Sequence, residues 1–351
     1  MGATPTRHRW GSRIPRHDDG WEPEVVRATS RGNTAFWKVL PLSLSPKSRS
    51  ARAAAVLAAI ALASSLAACT AAPTAPASSP EAAPSTAIEA STQSKTAVGE
   101  EHTITVDGHK IAFYVTAGSG ATIVLDAGGG NGADYWNDLV PKIAAETGAQ
   151  IITYDRIGQG LSDFIPGAFS PAKAADDLAA GVKELELPDA PVLLASHSLG
   201  GEVSTAIVNA HPGLIDGAVL IDANVPQFFT PEETARLAAA TEEEVAAAKA
   251  APQNDATRQL INLAIGWGPA HLAYNKMTYS TDVPVNVIVA EATPFATSPE
   301  DAQKWRDAQA EFVAQSPTNR TLTTAVGSSH DVAVDSPDLV IEQVEDMLGK
   351  I

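Results

Sequence analysis

Short apolar runs alternate with amphipathic stretches from about residue 100 onward, and the alternation predicts strands and helices in turn. His102 to Asp107 and Lys110 to Thr116 read as two strands around Asp107-Gly108, a hairpin turn signal. Thr122 to Asp126 reads as a third strand that ends in Ala127-Gly128-Gly129-Gly130-Asn131-Gly132. A helix over Asn137 to Thr147 and a strand over Ala149 to Tyr154 follow. Ser170 caps a helix running to Leu187, with Pro171 at its first position. Pro191 to Ala195, Ala218 to Ile221, Val283 to Ala290 and Thr321 to Val326 are further strands, and Pro337 to Leu348 closes the chain as a helix. Between Asp222 and Val283 no strand is expected. Thr230 caps a helix over Pro231 to Ala250, and Ala256 to Ile265 is also helical. Residues 224–281 therefore read as a helical cap over the carboxyl ends of the strands. Its apolar members Phe228, Phe229, Leu260, Ile261, Trp267, Leu272 and Met277 either line a substrate pocket or bury the cap on the sheet. This order of elements defines an α/β protein with a mostly parallel sheet.

The first hundred residues follow another pattern. Residues 1–68 form an N-terminal extension ending in a signal: Lys47, Arg49 and Arg52, then an apolar stretch from Ala53 to Leu66, then Ala67-Ala68-Cys69. That stretch of 14 residues is too short to cross a bilayer as a helix, which takes roughly 20. Cys69 is the sole cysteine of the chain, so no intramolecular disulfide forms. Leu66-Ala67-Ala68-Cys69 resembles the lipobox of bacterial lipoproteins. The resemblance implies cleavage before Cys69, lipid on its sulfur, and export to the outer face of the cytoplasmic membrane; an ordinary secretory signal is the alternative. Residues 69–99 are rich in Ala, Pro, Ser and Thr and read as a disordered tether. The whole chain carries a formal charge of -17. Residues 1–68 hold 10 of the 24 Lys and Arg and 4 of the 41 Asp and Glu, so the remainder carries 14 basic against 37 acidic side chains, a net of -23. Such a domain lacks the clustered cations of a nucleic-acid surface.

Ser196-His197-Ser198-Leu199-Gly200-Gly201 lies directly between a buried strand and a helix that begins at Glu202. A Ser at such a junction, with small residues two before and two after it, fits a nucleophile elbow; the pattern is G-x-S-x-G, with Ser196 in place of the first Gly. Ser198 needs a base to take its proton. Of the eight His residues, His330 is placed best, in the loop Gly327-Ser328-Ser329-His330-Asp331 just past the last strand. No spacing of His, Cys, Asp and Glu suggests a metal site, and no cofactor is expected.

Four segments together resemble the α/β-hydrolase fold family of esterases and lipases: Leu125-Asp126-Ala127-Gly128-Gly129-Gly130, Tyr154 to Ser162, Ser196 to Gly201, and Ser329-His330. The resemblance covers residues 100–351. It implies a triad in which His330 activates Ser198, and an oxyanion hole made by the backbone N–H groups of Leu199 and, from the Gly-rich loop, Gly129. The family usually carries the acid after the penultimate strand. Here that turn reads Ala290-Glu291-Ala292-Thr293, with Thr293 in the Asp position. Asp222, one strand earlier, resembles the acid-bearing turn of some lipases and is preferred; Glu291 is the alternative. Asp155 and Arg156 read as a structural pair. The implied activity is that of a serine carboxylesterase acting on a small ester through an acyl-enzyme. Peptidase, thioesterase and cofactor-free haloperoxidase chemistry on the same fold are alternatives, as is a non-catalytic ligand-binding lipoprotein. The implied partner is a small-molecule ester, with the membrane engaged only through the Cys69 lipid.

Overall fold

The computed structural model describes residues 96–351 apart from 186 and 188. The signal segment, Cys69 and all but the end of the tether lie outside the described residues. Eight strands form one sheet in the order β1-β2-β4-β3-β5-β6-β7-β8. They are β1 (Glu100–Val106), β2 (His109–Thr116), β3 (Thr122–Asp126), β4 (Gln150–Asp155), β5 (Val192–His197), β6 (Gly217–Ile221), β7 (Val285–Ala290) and β8 (Arg320–Ala325). β1 pairs antiparallel with β2, and β2 with β4; every later pairing is parallel. β3, β5, β6 and β7 are buried along their whole length, as strands covered on both faces must be. The inward and outward sets separate cleanly. Val124, Leu194 and Leu220 join one core cluster, while Ile123, Leu125, Leu193 and Val219 join the other.

The helices cover these two faces. On one side lie α1 (Val140–Thr147) and the closing helix α9 (Pro337–Leu348), which contribute Ile143, Val340 and Val344. On the other lie α2 (Pro171–Glu184), α3 (Gly200–Ala210) and α7 (Pro299–Ala314), which contribute Leu178, Ile207, Trp305 and Phe312. Between β6 and β7 run α4 (Pro231–Ala250), α5 (Asp255–Ala264) and α6 (Trp267–Tyr274). The short α8 (Val332–Asp335) follows the loop after β8. Ser170 and Thr230 accept hydrogen bonds from the third residues of α2 and α4, as their N-cap positions require.

Several elements differ from the sequence reading. α1 begins at Val140, three residues late, because the chain before it makes tight turns rather than helix. α6 and α7 were not expected. α7 nonetheless carries a start signal, Ser298 capping and Pro299 at the first position, and an apolar face of Ala302, Trp305, Ala308 and Phe312. No described helix is long and apolar enough to cross a membrane.

The sheet's direction of connection reverses between β3 and β5: β3 leads outward to β4, whereas β5 leads the other way to β6, β7 and β8. Ligand sites in open α/β sheets form at the carboxyl ends of strands flanking such a reversal. The Gly-rich loop leaves β3 and the 198–201 elbow leaves β5 at this point.

Candidate active site

Three strands end at this edge on residues held in the left-handed backbone region. Ser198 follows β5 with φ 52°, Asp222 follows β6 with φ 42°, and Thr293 lies in the turn after β7 with φ 54°. Such conformations cost a non-glycine residue about 1–3 kcal/mol and persist where surrounding structure enforces them. At Ser198 the enforcement is visible. Its N–H donates to Ile221 O, and its carbonyl accepts from the N–H groups of Gly201 and Asn224. The demand for small neighbours is steric. A Cβ on Gly200 would sit 3.1 Å from the Ser196 Cβ and 2.8 Å from Asp126 Oδ2. Ser196 is tolerated in the first elbow position because Gly200 faces it. A Cβ on Gly201 would lie 2.1 Å from the Asn224 carbonyl oxygen, so α3 can approach the 222–225 loop this closely only through glycine.

The structure brings Ser198, His330 and Asp222 into one line. Ser198 Oγ lies 2.9 Å from His330 Nε2, and His330 Nδ1 lies 2.7 Å from Asp222 Oδ2. With a carboxylate on one side, Nδ1 carries the proton and donates; Nε2 is left as the acceptor for the Ser198 hydroxyl. Asp222 is fully buried. Its second oxygen accepts from Ala290 N–H at 3.1 Å and from the Trp305 indole N–H at 2.8 Å. The carboxylate is thus aimed by α7, a helix the sequence reading overlooked. Glu291 is not brought to His330. It is exposed, and its carboxylate accepts from Gly327 N–H at 2.6 Å. Thr293, in the position where the family usually carries its acid, turns inward and accepts from Phe295 N–H. The His330 loop is pinned by Asp335, which accepts from both the backbone and the hydroxyl of Ser329.

His197 packs beside this line. Its ring stacks on Tyr135 and lies 4.7 Å from the His330 ring. Burial, reinforced by the nearby His330, pushes its pKa well below that of an ordinary histidine, so it stays neutral. Its Nε2–H donates to the His330 carbonyl oxygen at 3.0 Å, which fixes the tautomer and braces the His330 backbone.

The Gly-rich loop after β3 faces the elbow. A Cβ on Gly128 would come within 2.9 Å of His197 and 3.2 Å of Ser198. The backbone N–H groups of Leu199 and Gly129 donate to no other described residue. Arg156 does not pair with Asp155, contrary to the sequence reading. Its guanidinium reaches the other way, to the Asp126 carboxylate and the carbonyl oxygens of Ala127 and Gly128. Asp155 instead serves the opposite side, accepting from Tyr114 O–H, Ala133 N–H and Leu161 N–H. Adjacent residues in an extended strand end point to opposite faces, which a pairing by sequence proximity ignores.

A second polar cluster joins the cap to the elbow. Glu202, in the first turn of α3, accepts from Asn224 Nδ2 at 2.6 Å and from His271 Nε2 at 3.0 Å. His271 Nδ1 also donates, to the Trp267 carbonyl oxygen at 2.8 Å. With an acceptor at each nitrogen the ring is an imidazolium, lying between the rings of Phe229 and Trp267. Burial opposes that charge, but the Glu202 carboxylate and the Trp267 carbonyl outweigh it and raise the His271 pKa. A histidine whose folded pKa is raised adds stability that is complete below its unfolded pKa of about 6.5 and is lost as pH climbs through the folded value. Wild-type Tm, followed by circular dichroism, is therefore expected to fall as pH rises above about 6.5. His271→Gln is expected to flatten that segment of the curve. An unchanged slope in the variant would show that the pair contributes nothing.

Of the predicted cap residues, Phe228, Phe229 and Trp267 line a cavity against α3 and α7. Leu260 and Ile261 pack within the cap, and Leu272 and Met277 are exposed. Among the described residues no group of three or more His, Cys, Asp or Glu is placed to hold a metal ion.

Comparison with known proteins agrees with this architecture. The sequence profile of the Alpha/beta hydrolase family matches residues 123–343. A stretch of 110 residues is 31% identical to the putative carbamate hydrolase RutD of Azorhizobium caulinodans, spanning 31% of this chain and 40% of that protein. Another of 130 residues is 32% identical to the non-heme chloroperoxidase CPO-A1 of Kitasatospora aureofaciens, spanning 37% of this chain and 46% of that one. An uncharacterized protein of Mycobacterium tuberculosis is 33% identical over 119 residues, 34% of this chain and 33% of its own length. The chain thus spans between a third and a half of the length of these curated relatives. In fold it is similar to the esterase EaEST of Exiguobacterium antarcticum, with a TM-score of 0.50 and 19% identity, covering 72% of this chain and 99% of that one. The chain belongs to the alpha/beta hydrolase family.

Proposed function

We propose that the protein is a serine carboxylesterase working through an acyl-enzyme. The observation that carries this reading is the continuous line from Asp222 through His330 to Ser198, ending on a hydroxyl held out by a left-handed turn. The Ser198 oxygen attacks the ester carbonyl carbon while His330 Nε2 takes its proton, and Asp222 stabilises the imidazolium so formed. The carbonyl oxygen becomes an oxyanion held by the N–H groups of Leu199 and Gly129, with the N-terminus of α3 adding its positive end. The carbon–oxygen bond to the alcohol then breaks, and the alcohol leaves with the proton from His330. Water repeats the sequence on the acyl-enzyme, giving up a proton to His330 and releasing the acid and the free Ser198. Pre-steady-state hydrolysis of a p-nitrophenyl ester is the test. A burst of nitrophenol equal to the concentration of fluorophosphonate-reactive sites is expected; absence of both burst and labelling would overturn the reading.

Arg156 is a positioning residue in this scheme. The peptide between Gly128 and Gly129 is trans and planar, so holding the Gly128 carbonyl from below turns the Gly129 N–H toward the oxyanion. Arg156→Lys keeps a positive charge for the buried Asp126 but loses the planar fork that reaches several acceptors at once. It is expected to lower kcat about ten-fold or more with KM changed less than about two-fold. Equal loss through KM alone would assign Arg156 to substrate binding instead.

We also propose that the domain is exported and held at the cell envelope by a lipid on Cys69, with residues 69–99 as the tether. Cys69→Ala in the full chain is expected to shift the protein out of the membrane fraction; retention there would overturn the lipid assignment.

A further inference from the structure

The cluster that joins the cap to the elbow leaves one atom unused. Asn224 Nδ2 and His271 Nε2 both donate to Oε1 of Glu202, at 2.6 and 3.0 Å. Oε2 accepts from no described residue, and it is not sealed off by its neighbours. Glu202 lines the cavity against α3 and α7, a space of about 30 Å³, and Oε2 opens on it. An ionised carboxylate has lone pairs for about two hydrogen bonds on each oxygen. Glu202 is only 3% exposed, so the free oxygen is completed by what enters the cavity.

The rest of the lining says which donor. Among the described residues no charged side chain other than Glu202 and His271 lines the cavity, and His271 is engaged at both nitrogens. Phe229 and Trp267 are taken up by the His271 ring. Phe228, Phe295 and Trp305 form a second aromatic wall, with ring centroids 4.8, 5.4 and 5.9 Å apart. A carboxylate oxygen and aromatic rings around one space is the chemistry that recognises a cation. The net charge of -23 over residues 69–351 acts in the same sense. Size narrows the choice. A cavity of this volume holds about two water-sized groups, which suits a primary ammonium and excludes a trimethylammonium. Ser198 and His330 do not line the cavity, but its wall touches the residues that serve them. Leu199 carries an oxyanion N–H, and Trp305 holds Asp222 and stands 6.4 Å from the His330 ring. The cavity shares Phe169, Leu199 and Leu263 with a larger one of about 210 Å³, whose wall also includes Tyr154.

We propose that the free oxygen of Glu202 and the wall of Phe228, Phe295 and Trp305 form a subsite for a primary ammonium, making esters that carry such a group on their acyl or alcohol half the substrate class. The assignment rests on the serine-hydrolase reading above. The ammonium donates to Oε2 while His271 keeps Oε1, so one carboxylate serves two cations through different oxygens. A site that hydrogen-bonds a substrate group discriminates strongly against the analogue lacking it, because its own polar group is then stranded.

The test uses pairs of esters in which an ammonium replaces a terminal methyl, at about pH 7, where an alkyl amine is protonated. One series holds ethyl esters of straight-chain acids with the amine at the far carbon; the other holds acetates of straight-chain alcohols with the amine at the far carbon. Acid release is normalised to fluorophosphonate-titrated sites. At one chain length or more the ammonium ester is expected to exceed its methyl counterpart by about ten-fold in kcat/KM, and the series in which it does so identifies the half that carries the charge. The matching trimethylammonium ester is expected to lose that advantage. Glu202→Gln keeps an oxygen for Asn224 and turns an NH₂ to the cavity, and is expected to erase the preference. No advantage in either series, an equal one for trimethylammonium, or an unchanged ratio in Glu202→Gln would each overturn the proposal. The first two comparisons use only the wild type, so they decide even if the variant does not fold. A second readout needs no turnover: calorimetric binding of butylammonium and of butanol to Ser198→Ala protein, with and without Glu202→Gln. If esters are not hydrolysed but butylammonium is still preferred through Glu202, the catalytic reading fails and the subsite stands. If esters are hydrolysed and neither readout favours the ammonium, the subsite fails alone.

Discussion

Ser198→Ala is expected to lower kcat for a p-nitrophenyl ester by at least about 10⁴-fold and to abolish fluorophosphonate labelling, with Tm unchanged within about 2 °C. The loss follows from the chemistry: without the hydroxyl no acyl-enzyme forms, and the remaining oxyanion donors supply only residual catalysis over water. The stability expectation has a separate origin. The turn at 198 is held by backbone bonds, from Ser198 N–H to Ile221 and from Gly201 and Asn224 to its carbonyl, and none of these involves the side chain. Side-chain removal therefore leaves the left-handed turn in place. Rates and labelling measured on the same folded preparation separate the two effects, and persistent esterase activity in the variant would eliminate Ser198 as nucleophile.

Asp222→Asn is expected to reduce kcat by about 10⁴-fold, whereas Glu291→Gln changes it less than about three-fold. Asp222 has three hydrogen bonds to keep. Oδ1 receives the Ala290 and Trp305 N–H groups, and Oδ2 receives His330 Nδ1–H. Asparagine retains the first two through its carbonyl oxygen, which leaves its NH₂ facing His330. The ring must then turn its Nδ1 into an acceptor and carry its proton on Nε2, where it can no longer take one from Ser198. The fold survives and the base is lost. A comparable loss from Glu291→Gln, with Asp222→Asn active, would transfer the acid role to Glu291.

The strands were legible in the sequence because a parallel sheet covered on both faces leaves unbroken apolar runs such as Val192 to Ala195 and Val287 to Ala290. The elbow and the His330 loop were legible because steric demands at a tight turn leave few residue choices. The carboxylate partner of His330 was harder. Two carboxylates stood at successive strand ends, and the residue that discriminates between them, Trp305, lies on α7, more than eighty positions from Asp222. Its cap and its apolar face were both present in the sequence, but diluted by the acidic and basic residues on its outer side. Arg156 was misread because contact was inferred from adjacency, although a strand turns neighbouring side chains apart. The cavity walled by Tyr154, Phe169 and Leu263 had no local signature at all, since its walls come from segments about a hundred residues apart.

The contacts of α6 bear on how substrate reaches this site. The helix touches the elbow and the acid-bearing loop together: Tyr274 O–H donates to the Asn224 carbonyl at 3.0 Å and meets Thr205, while His271 holds Glu202. Lifting α6 would strand the buried Glu202 carboxylate, at about 3–5 kcal/mol. It would also break the Tyr274 hydrogen bond to the Asn224 carbonyl, in the loop that packs against the elbow. The part of the cap nearest the nucleophile therefore behaves as a keystone rather than a hinged flap.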